Sequence, residues 1–393
     1  MRVCLVTIRT YPEVGGIENY TFYLANALNK RGIDVEIITT NVKNYTGGRI
    51  ERGNYPKEEV VEGVKYKRVT CLNIKNPVEN RFPPGIFFEL SKSQPDIIHS
   101  CGLGTAAAIS LLFSKIYKVP HVITPFFHPP RLTIESSGTR HKILWNLITN
   151  LRKRSLIDPV INKSEKVVAV SQTDKEILKN IFNPKSIVVL PYGINVKDFT
   201  EAYKGAFRHA WGLKDEKMIL FVGELSQSNG ILDLLKAYKM VQEKIENTKL
   251  VLIGRDTGQG NLLERFARNL GLSKNLLYAG ILPHKEVIEA FRDADLFVIP
   301  SYYETFGVVN IEAMASGTPV IVSNRGANPE LVDDSVGRVC KYGDWVDLKN
   351  KMLEILENNV LRDRMAKNGE QKAKKFDWNV IVDRYILMYE ELV

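Results

Sequence analysis

The sequence predicts an α/β protein built from two doubly wound, Rossmann-like domains. The chain has 393 residues, which is more than one ordinary hydrophobic core can hold, so two domains are expected. Runs rich in Val, Ile and Leu alternate with helical patterns in both halves of the chain. Because these runs are almost continuously apolar, they indicate parallel strands that are covered on both faces of a sheet.

The predicted strands are spaced as in α/β domains. In the first half they cover residues 3–8, 35–40, 65–70, 97–100, 121–126, 166–171 and 186–191, and in the second half 218–223, 249–254, 275–280, 296–300 and 318–323. The Pro/Gly stretch 191–200 has the composition of a linker, so we predict domains over 1–195 and 196–375. Ligands are expected at the carboxyl ends of the strands, in a cleft between the domains.

Composition and charge exclude several classes of protein. Hydrophobic residues make up 44% and charged residues 25%, which is unlike a disordered, fibrous or integral membrane protein. Residues 1–200 hold 28 lysines and arginines against 17 aspartates and glutamates, whereas residues 201–393 hold 26 against 28. The basic half predicts an anionic surface or ligand there, and a merely solvated face is the alternative.

The location of the protein is predicted from its apolar segments and cysteines. The first apolar run meets Arg9 at once, unlike a signal peptide, and the longest apolar stretch, 102–113, is too short to span a bilayer. Four scattered cysteines without a C-x-x-C pair indicate reduced thiols and argue against a metal site. We therefore expect a cytoplasmic protein, either soluble or peripheral on the cytoplasmic face of the membrane.

The segment 299–332 contains the strongest chemical signal. A buried strand ends at Pro300, Glu304 follows in a loop, and Glu312 is expected about two turns into the next helix. Backbone N–H groups at a helix N-terminus attract anions, and carboxylates accept hydrogen bonds from sugar hydroxyls. The segment thus predicts a site for a phosphorylated sugar, with its anion-binding N–H groups at Phe306, Gly307 and Val308.

With its flanking patterns S-x-x-E-x-F-G and E-A-M-A-x-G-x-P-V, this segment closely resembles the retaining glycosyltransferases of family 4, which have the GT-B fold. The resemblance covers nearly the whole chain and includes GGIENY, PDIIHS, VVAVSQ, LPYGINVKDF, FVGEL and LVLIG. Residues 376–393 resemble the terminal helix that crosses back to the N-terminal domain. The resemblance implies an N-terminal acceptor domain and a C-terminal donor domain facing across a cleft. It also implies sugar transfer from a UDP- or GDP-sugar with retention, and without a metal or other cofactor.

The family's functional residues carry over to individual positions. Gly16 matches the glycine whose backbone approaches the donor phosphate, although a plain turn that needs positive φ is the alternative. Glu304 matches the glutamate that binds the donor sugar hydroxyls, and Glu312 matches the one that binds the ribose. By the same resemblance, the segment lying against the diphosphate and sugar is Phe306, Gly307 and Val308.

Two positions depart from the family pattern at the leaving-group end of the reaction. The loop that begins at Gly223 has a phosphate-binding layout, but Glu224 and Asn229 stand where relatives have an arginine and a lysine. We still expect Gly223 and Asn229 to contact the donor. Cations at other strand ends would then have to compensate, and the candidates are Arg255 and Arg325.

The second departure is in VITPFFHPP. Relatives often read T-P-H-F-H-P, so Phe126 replaces the first histidine, and His128 matches the second and is the remaining catalytic candidate. A loop histidine without a catalytic part is the alternative for His128. Together the two departures favour a second hypothesis, a sugar-nucleotide-binding pseudoenzyme or partner subunit. A sugar-nucleotide epimerase of the same architecture is disfavoured by the glutamate motif.

The acceptor side is predicted from the basic first half. Residues 139–157 mix cations with Trp and aliphatic residues, as in an interfacial helix on an anionic bilayer; an ordinary helix packed on its sheet is the alternative. We therefore expect a lipid-linked or glycan acceptor, with an acceptor loop at 79–88. Nucleic acid is not an expected partner, because no recognisable binding module is present.

Overall fold

A computed structural model of the chain describes residues 1–13, 15–43, 51–72, 82–127, 157–256 and 260–393. The chain folds into two compact units. Unit 1 comprises Met1–Gly193 together with Trp378–Val393, and unit 2 comprises Ile194–Asp377. The first change of unit, between Gly193 and Ile194, lies within the linker predicted at 191–200. Each unit contains a mainly parallel sheet, so the predicted α/β class is confirmed.

Unit 1 is organised around an eight-stranded sheet. The strands of this unit are β1 Arg2–Val6, β2 Asp34–Thr40, β3 Val42–Lys43, β4 Glu51–Arg52, β5 Glu58–Val61, β6 Val64–Val69, β7 Ile97–Cys101, β8 His121–Thr124, β9 Lys166–Ala169 and β10 Ile187–Val189. The sheet order is β10-β9-β8-β7-β1-β2-β6-β5, and β3 pairs separately with β4. All neighbours in the large sheet are parallel except β5 and β6. The order reverses at β1 and β7, which is where ligands bind in open α/β sheets.

Helices cover both faces of this sheet. The helix Thr105–Tyr117 follows β7 and contributes to two buried clusters, one through Ile109 and Phe113 and the other through Ala107 and Leu111. Burial of such side chains stabilises the unit by about 2 kcal/mol each. The helices of this unit are Gly16–Lys30, Gly85–Ser93, Thr105–Tyr117, Asp158–Lys163, Gln172–Ile181 and Trp378–Glu390.

The last of these, the terminal helix, is joined to the sheet of unit 1 by buried hydroxyl and imidazole groups. The hydroxyl of Tyr385 lies 2.7 Å from that of Tyr20, which lies 3.0 Å from Oγ1 of Thr124. His99 links Thr124 at 2.8 Å to the hydroxyl of Tyr389 at 2.6 Å. Burial lowers the pKa of His99 to about 3, so its imidazole is neutral. The helix therefore belongs to the N-terminal unit, as predicted.

Unit 2 contains a six-stranded parallel sheet. Its strands are β11 Lys217–Val222, β12 Thr248–Ile253, β13 Leu276–Gly280, β14 Leu296–Ile299, β15 Val320–Ser323 and β16 Gly337–Cys340. Their order, β13-β12-β11-β14-β15-β16, is that of the dinucleotide-binding fold, with the reversal between β11 and β14. The helices are Val196–Thr200, Ala206–Ala210, Ile231–Gln242, Gly260–Asn269, His284–Asp293, Val308–Ala315, Asn328–Leu331, Trp345–Glu357 and Asn359–Ala373.

Candidate functional site

The loops that follow β11 and β14 meet at the point where the strand order of unit 2 reverses. Gly230 has a φ of 74° and precedes the helix Ile231–Gln242. A Cβ atom there would lie 2.3 Å from the carbonyl oxygen of Pro300, at the end of β14. The backbone N–H of Tyr302 also donates to the carbonyl of Ser228 at 2.7 Å. Only glycine permits this approach, which joins the two loops into one surface.

The ends of β11 and β12 also pack backbone against backbone. Gly254 has a φ of 141°, and a Cβ atom there would lie 1.9 Å from the carbonyl oxygen of Gly223. The backbone N–H of Leu225 donates to the carbonyl of Arg255 at 2.9 Å. The predicted contact residues Gly223 and Arg255 therefore lie on adjacent strand ends.

The loop after β11 keeps its shape without a cation. The side-chain amide of Asn229 donates to the backbone carbonyl of Glu224 at 2.9 Å, and the side chain of Glu224 is exposed. Asn229 therefore stabilises the loop at the position where the family resemblance implies a lysine. Arg325, the other predicted compensating cation, stacks at 5.8 Å over the ring of Tyr342, which follows β16. Its charge is directed toward the outer strand of the sheet.

The predicted anion site at the start of a helix is present after β14. Gly307 has a φ of 84° and caps the helix Val308–Ala315, and among the described residues no side chain hydrogen-bonds to that cap. The first N–H groups of a helix have no intrahelical acceptor, so they can donate to an anion. Phe306 is buried, and its ring lies 5.9 Å from that of Phe376. Phe306 can therefore offer a ligand only its backbone.

The two glutamates flank this helix start. Glu304 lies in the loop as predicted, but Glu312 is the fifth residue of the helix and so lies just over one turn in. The predicted depth of about two turns is wrong, because the loop continues through Gly307 before the helix begins. The carbonyl of Glu304 accepts from the N–H of Ala327 at 2.8 Å, which ties this loop to the one after β15.

The side chains of Glu304 and Glu312 are both half-buried. Burial raises the pKa of Glu304 to about 7, and a hydrogen bond from Ser301 partly opposes that rise. Burial alone raises the pKa of Glu312 to about 7. Within the described ranges no side chain or backbone group hydrogen-bonds to the carboxylate of Glu312. Carboxyl groups with a raised pKa in a loop-lined edge are typical of functional sites.

In unit 1, Gly16 is the first residue of a helix and lies outside the left-handed region. The alternative that it serves a turn needing positive φ is therefore wrong. A Cβ atom on Gly16 would meet no atom of the described chain within 4 Å. On Gly15 the same atom would lie 2.4 Å from a carboxylate oxygen of Glu18, which pairs with Arg9 at 2.9 Å.

The position that replaces a family histidine has an unusual backbone. Phe126 has a φ of 47°, and its ring meets that of Tyr20 edge-on at 4.9 Å. A bulky residue in this region is strained, and such strain concentrates at functional sites. Some predicted features lie outside the described residues. They are His128, residues 139–156 of the predicted membrane segment, and residues 79–81 of the predicted acceptor loop.

Comparison with protein-family models identifies both halves of the chain. The model described as Glycosyltransferase Family 4 matches residues 14–198, and the model described as Glycosyl transferases group 1 matches residues 204–372. The chain belongs to the family 4 glycosyltransferases. Its two α/β units have the GT-B fold of that family, as the sequence predicted.

Relatives of this glycosyltransferase match it along its whole length. It is 23% identical to the D-inositol 3-phosphate glycosyltransferase of Corynebacterium diphtheriae, over 99% of this chain and 94% of the relative. An uncharacterised glycosyltransferase of Methanocaldococcus jannaschii is 28% identical, over 99% of this chain and 98% of the relative.

Solved structures support the same fold. Sucrose-phosphate synthase of Thermosynechococcus elongatus superimposes with a TM-score of 0.81 and 21% identity, covering 100% of this chain and 98% of the other. Anabaena HepE, solved in complex with UDP and glucose, gives a TM-score of 0.75 at 17% identity with full coverage of both chains.

In the part of the glycosyltransferase that the structure describes, no group of three or more His, Cys, Asp and Glu is placed to hold a metal ion. Over the same residues, no helix is both long enough and apolar enough to cross a membrane.

Proposed function

We propose that this chain is a retaining glycosyltransferase that moves a hexose or related sugar from a UDP- or GDP-sugar, without a metal, to a lipid-linked or glycan acceptor. The observation that carries the proposal is the carboxylate pair of Glu304 and Glu312 on either side of the helix start at Gly307. This arrangement offers acceptors for sugar and ribose hydroxyls beside N–H donors for a diphosphate.

The proposed chemistry makes separate demands on these groups. As the bond from the anomeric carbon to the diphosphate breaks, positive charge develops on the sugar ring and negative charge on the leaving phosphate. Glu304 would hold the sugar hydroxyls and face the developing positive charge. The N–H groups of Gly307 and Val308 would stabilise the diphosphate, with each such donor contributing about 3 kcal/mol. Glu312 would orient the nucleotide through its ribose.

Replacing Glu304 tests this role. Glu304→Ala should lower the rate of sugar transfer at least a hundredfold, because it removes a group whose interaction grows in the transition state. Glu354, on the exposed surface of the helix Trp345–Glu357, is the matched control, and Glu354→Ala should leave the rate unchanged. Transfer is measured as release of the nucleotide diphosphate. Full activity in Glu304→Ala would exclude our assignment of the site.

The acceptor is proposed from the basic first half of the chain. A lipid-linked acceptor suits residues 139–157, which we propose to contact an anionic membrane on its cytoplasmic face. The name of the Corynebacterium relative adds a polyol phosphate to the acceptors that should be tested. Incubating the enzyme with labelled donor and each acceptor class shows whether label enters lipid extract, glycan or inositol phosphate. Label confined to inositol phosphate would contradict a lipid-linked or glycan acceptor.

A specific observation also favours the second candidate function, a nucleotide-sugar-binding pseudoenzyme. The loop after β11 presents the exposed carboxylate of Glu224, and the amide of Asn229 is bonded to the backbone of that loop. The leaving phosphate therefore lacks the two cations that relatives place in this loop. The presence of Phe126 in place of a family histidine also favours the pseudoenzyme.

Restoring the charges separates the two functions. Glu224→Arg with Asn229→Lys should tighten binding of UDP or GDP at least tenfold if the loop faces the diphosphate. Glu243→Arg with Asn247→Lys makes the same charge change at exposed positions near the start of β12, on the opposite edge of the sheet, and should have little effect. Calorimetry measures the affinities. Equal affinities for both double variants would mean that the loop faces away from the phosphates. Sugar transfer that appears only in the restored variant would establish the pseudoenzyme.

A further inference from the structure

We propose that Asn328 is a positioning residue that holds both ends of the loop Ser301–Gly307 and thereby orients Glu304 toward the donor sugar. This proposal rests on the proposed function of the site. Asn328 is the first residue of the short helix that follows β15 and is fully buried. It lies in the segment 299–332, but the family resemblance assigns it no role, and its contacts are visible only in the fold.

The side-chain amide of Asn328 connects three elements of unit 2. Its Nδ2 lies 3.3 Å from Oγ of Ser323, at the end of β15, and 3.5 Å from Oγ of Ser301, just after β14. Its Oδ1 accepts from Nδ2 of Asn310 at 3.1 Å, in the helix that begins after Gly307. All four side chains are fully buried, so these bonds are shielded from competition with water.

The directions of these hydrogen bonds are fixed by chemistry. The hydroxyl of Ser323 donates to the backbone carbonyl of Ser301 at 2.5 Å, so its oxygen is left to accept from Asn328. Ser301 hydrogen-bonds to the carboxylate of Glu304, and an ionised carboxylate can only accept. When Glu304 is ionised, the single hydroxyl hydrogen of Ser301 is therefore committed to Glu304 while Asn328 donates to Ser301. Asn328 thus sets the orientation of the hydroxyl that holds Glu304.

The other end of the loop rests on the same amide group. A Cβ atom on Gly307 would lie 2.5 Å from Nδ2 of Asn310 and 3.4 Å from Oδ1 of Asn328. The backbone of Gly307 therefore lies directly over this amide pair. Oδ1 of Asn310 is buried and has no hydrogen-bond partner among the described residues, so its bond to Asn328 is what holds that side chain. Asn328 is in this way coupled to both the carboxylate and the helix N-terminus.

The test follows the titration of Glu304 directly. Glutamate labelled with ¹³C at Cδ is incorporated into the full chain, and the Glu304 signal is assigned by its loss in Glu304→Gln. Asn328→Leu keeps the approximate shape but cannot donate to Ser301. Its Glu304 signal should titrate at a pH at least half a unit higher than in the wild type, because the opposing hydrogen bond is weakened. Asn368→Leu makes the same change at an exposed position of the helix Asn359–Ala373, outside this network, and should titrate as the wild type.

Kinetics give a second readout on the same variants. In Asn328→Leu, kcat should fall at least tenfold and the acid limb of its pH profile should move upward, whereas Asn368→Leu should keep the wild-type profile. If Asn328→Leu does not fold, Asn328→Ser, whose side chain is too short to reach Ser301, must show the same shifts. An unchanged Glu304 titration in a folded Asn328 variant would overturn the positioning role. The titration needs no turnover, so wild-type protein that transfers no sugar would overturn the proposed function separately.

Discussion

Glu312 makes the stability of the protein depend on pH in a direction opposite to that of most glutamates. Burial raises its pKa from 4.5 to about 7, so the folded chain holds a proton that the unfolded chain has already lost. Stability is therefore lost as the pH rises from about 4.5 to about 7, and the full penalty is present above that range. At 1.36 kcal/mol for each pKa unit, the ionised carboxylate costs about 3 kcal/mol at pH 8.

Glu312→Gln removes this penalty, because the amide has a similar shape and carries no charge. The free energy of unfolding should rise by about 3 kcal/mol at pH 8 and by about 1 kcal/mol or less at pH 5. Urea denaturation of the full chain, followed by tryptophan fluorescence at both pH values, measures the difference. Equal effects of the substitution at pH 5 and pH 8 would refute the reasoning, because they would mean that Glu312 has the same protonation state at both pH values.

Glu354 supplies a control of opposite sign. Arg338 donates to its carboxylate at 2.6 Å and lowers the pKa of Glu354. Its interaction therefore stabilises the fold at higher pH and is lost as the pH falls through the lowered pKa. Glu354→Gln should lower the free energy of unfolding at pH 8, by a small amount because the side chain of Glu354 is 42% exposed.

Two glycine substitutions test the phosphate contacts. Gly16→Ala adds a methyl group to open space, so its Tm should stay the same or rise, while its affinity for UDP or GDP should fall at least tenfold. Gly15→Ala crowds the carboxylate of Glu18 and should lower the Tm instead. An unchanged nucleotide affinity in Gly16→Ala would remove that residue from the site. Gly307→Ala and Gly343→Ala share the left-handed backbone cost of about 1 kcal/mol, but only Gly307→Ala also meets a side chain and should weaken nucleotide binding. Denaturation measures the stability of the two variants, and calorimetry measures their nucleotide affinities. Equal nucleotide affinities for Gly307→Ala and Gly343→Ala would contradict a role of Gly307 in binding the phosphates.

Much of the fold could be predicted because its signals are local. Apolar runs such as the one at 218–223 reappear as strands with ends shifted by one or two residues, and the segment 376–393 contains the helix Trp378–Glu390. Strands with few apolar residues were missed. β5, Glu58–Val61, carries two glutamates and is the antiparallel edge of its sheet, and β16, Gly337–Cys340, is only four residues long.

The site was predicted less completely because part of it depends on long-range contacts. The roles of Glu304 and Gly307 could be predicted from a recognisable sequence pattern. The hydrogen bond between Asn310 and Asn328 could not, because it forms only when β14 and β15 pair in the fold. The position of Arg325 at a strand end was predictable, whereas its stacking on Tyr342 was not, since Tyr342 follows a strand that the sequence did not reveal. The backbone of Phe126 likewise has no sequence signal.

The most direct test of the central claim is a donor panel. The wild-type protein is incubated with UDP-, GDP- and ADP-sugars, with and without membrane lipid extract, and release of the nucleotide diphosphate is measured. We predict release from a UDP- or GDP-sugar that increases when acceptor is present, and a product that keeps the anomeric configuration of the donor. Binding of a nucleotide sugar without any release of the diphosphate, with every acceptor supplied, would contradict the assignment of this chain as an active glycosyltransferase.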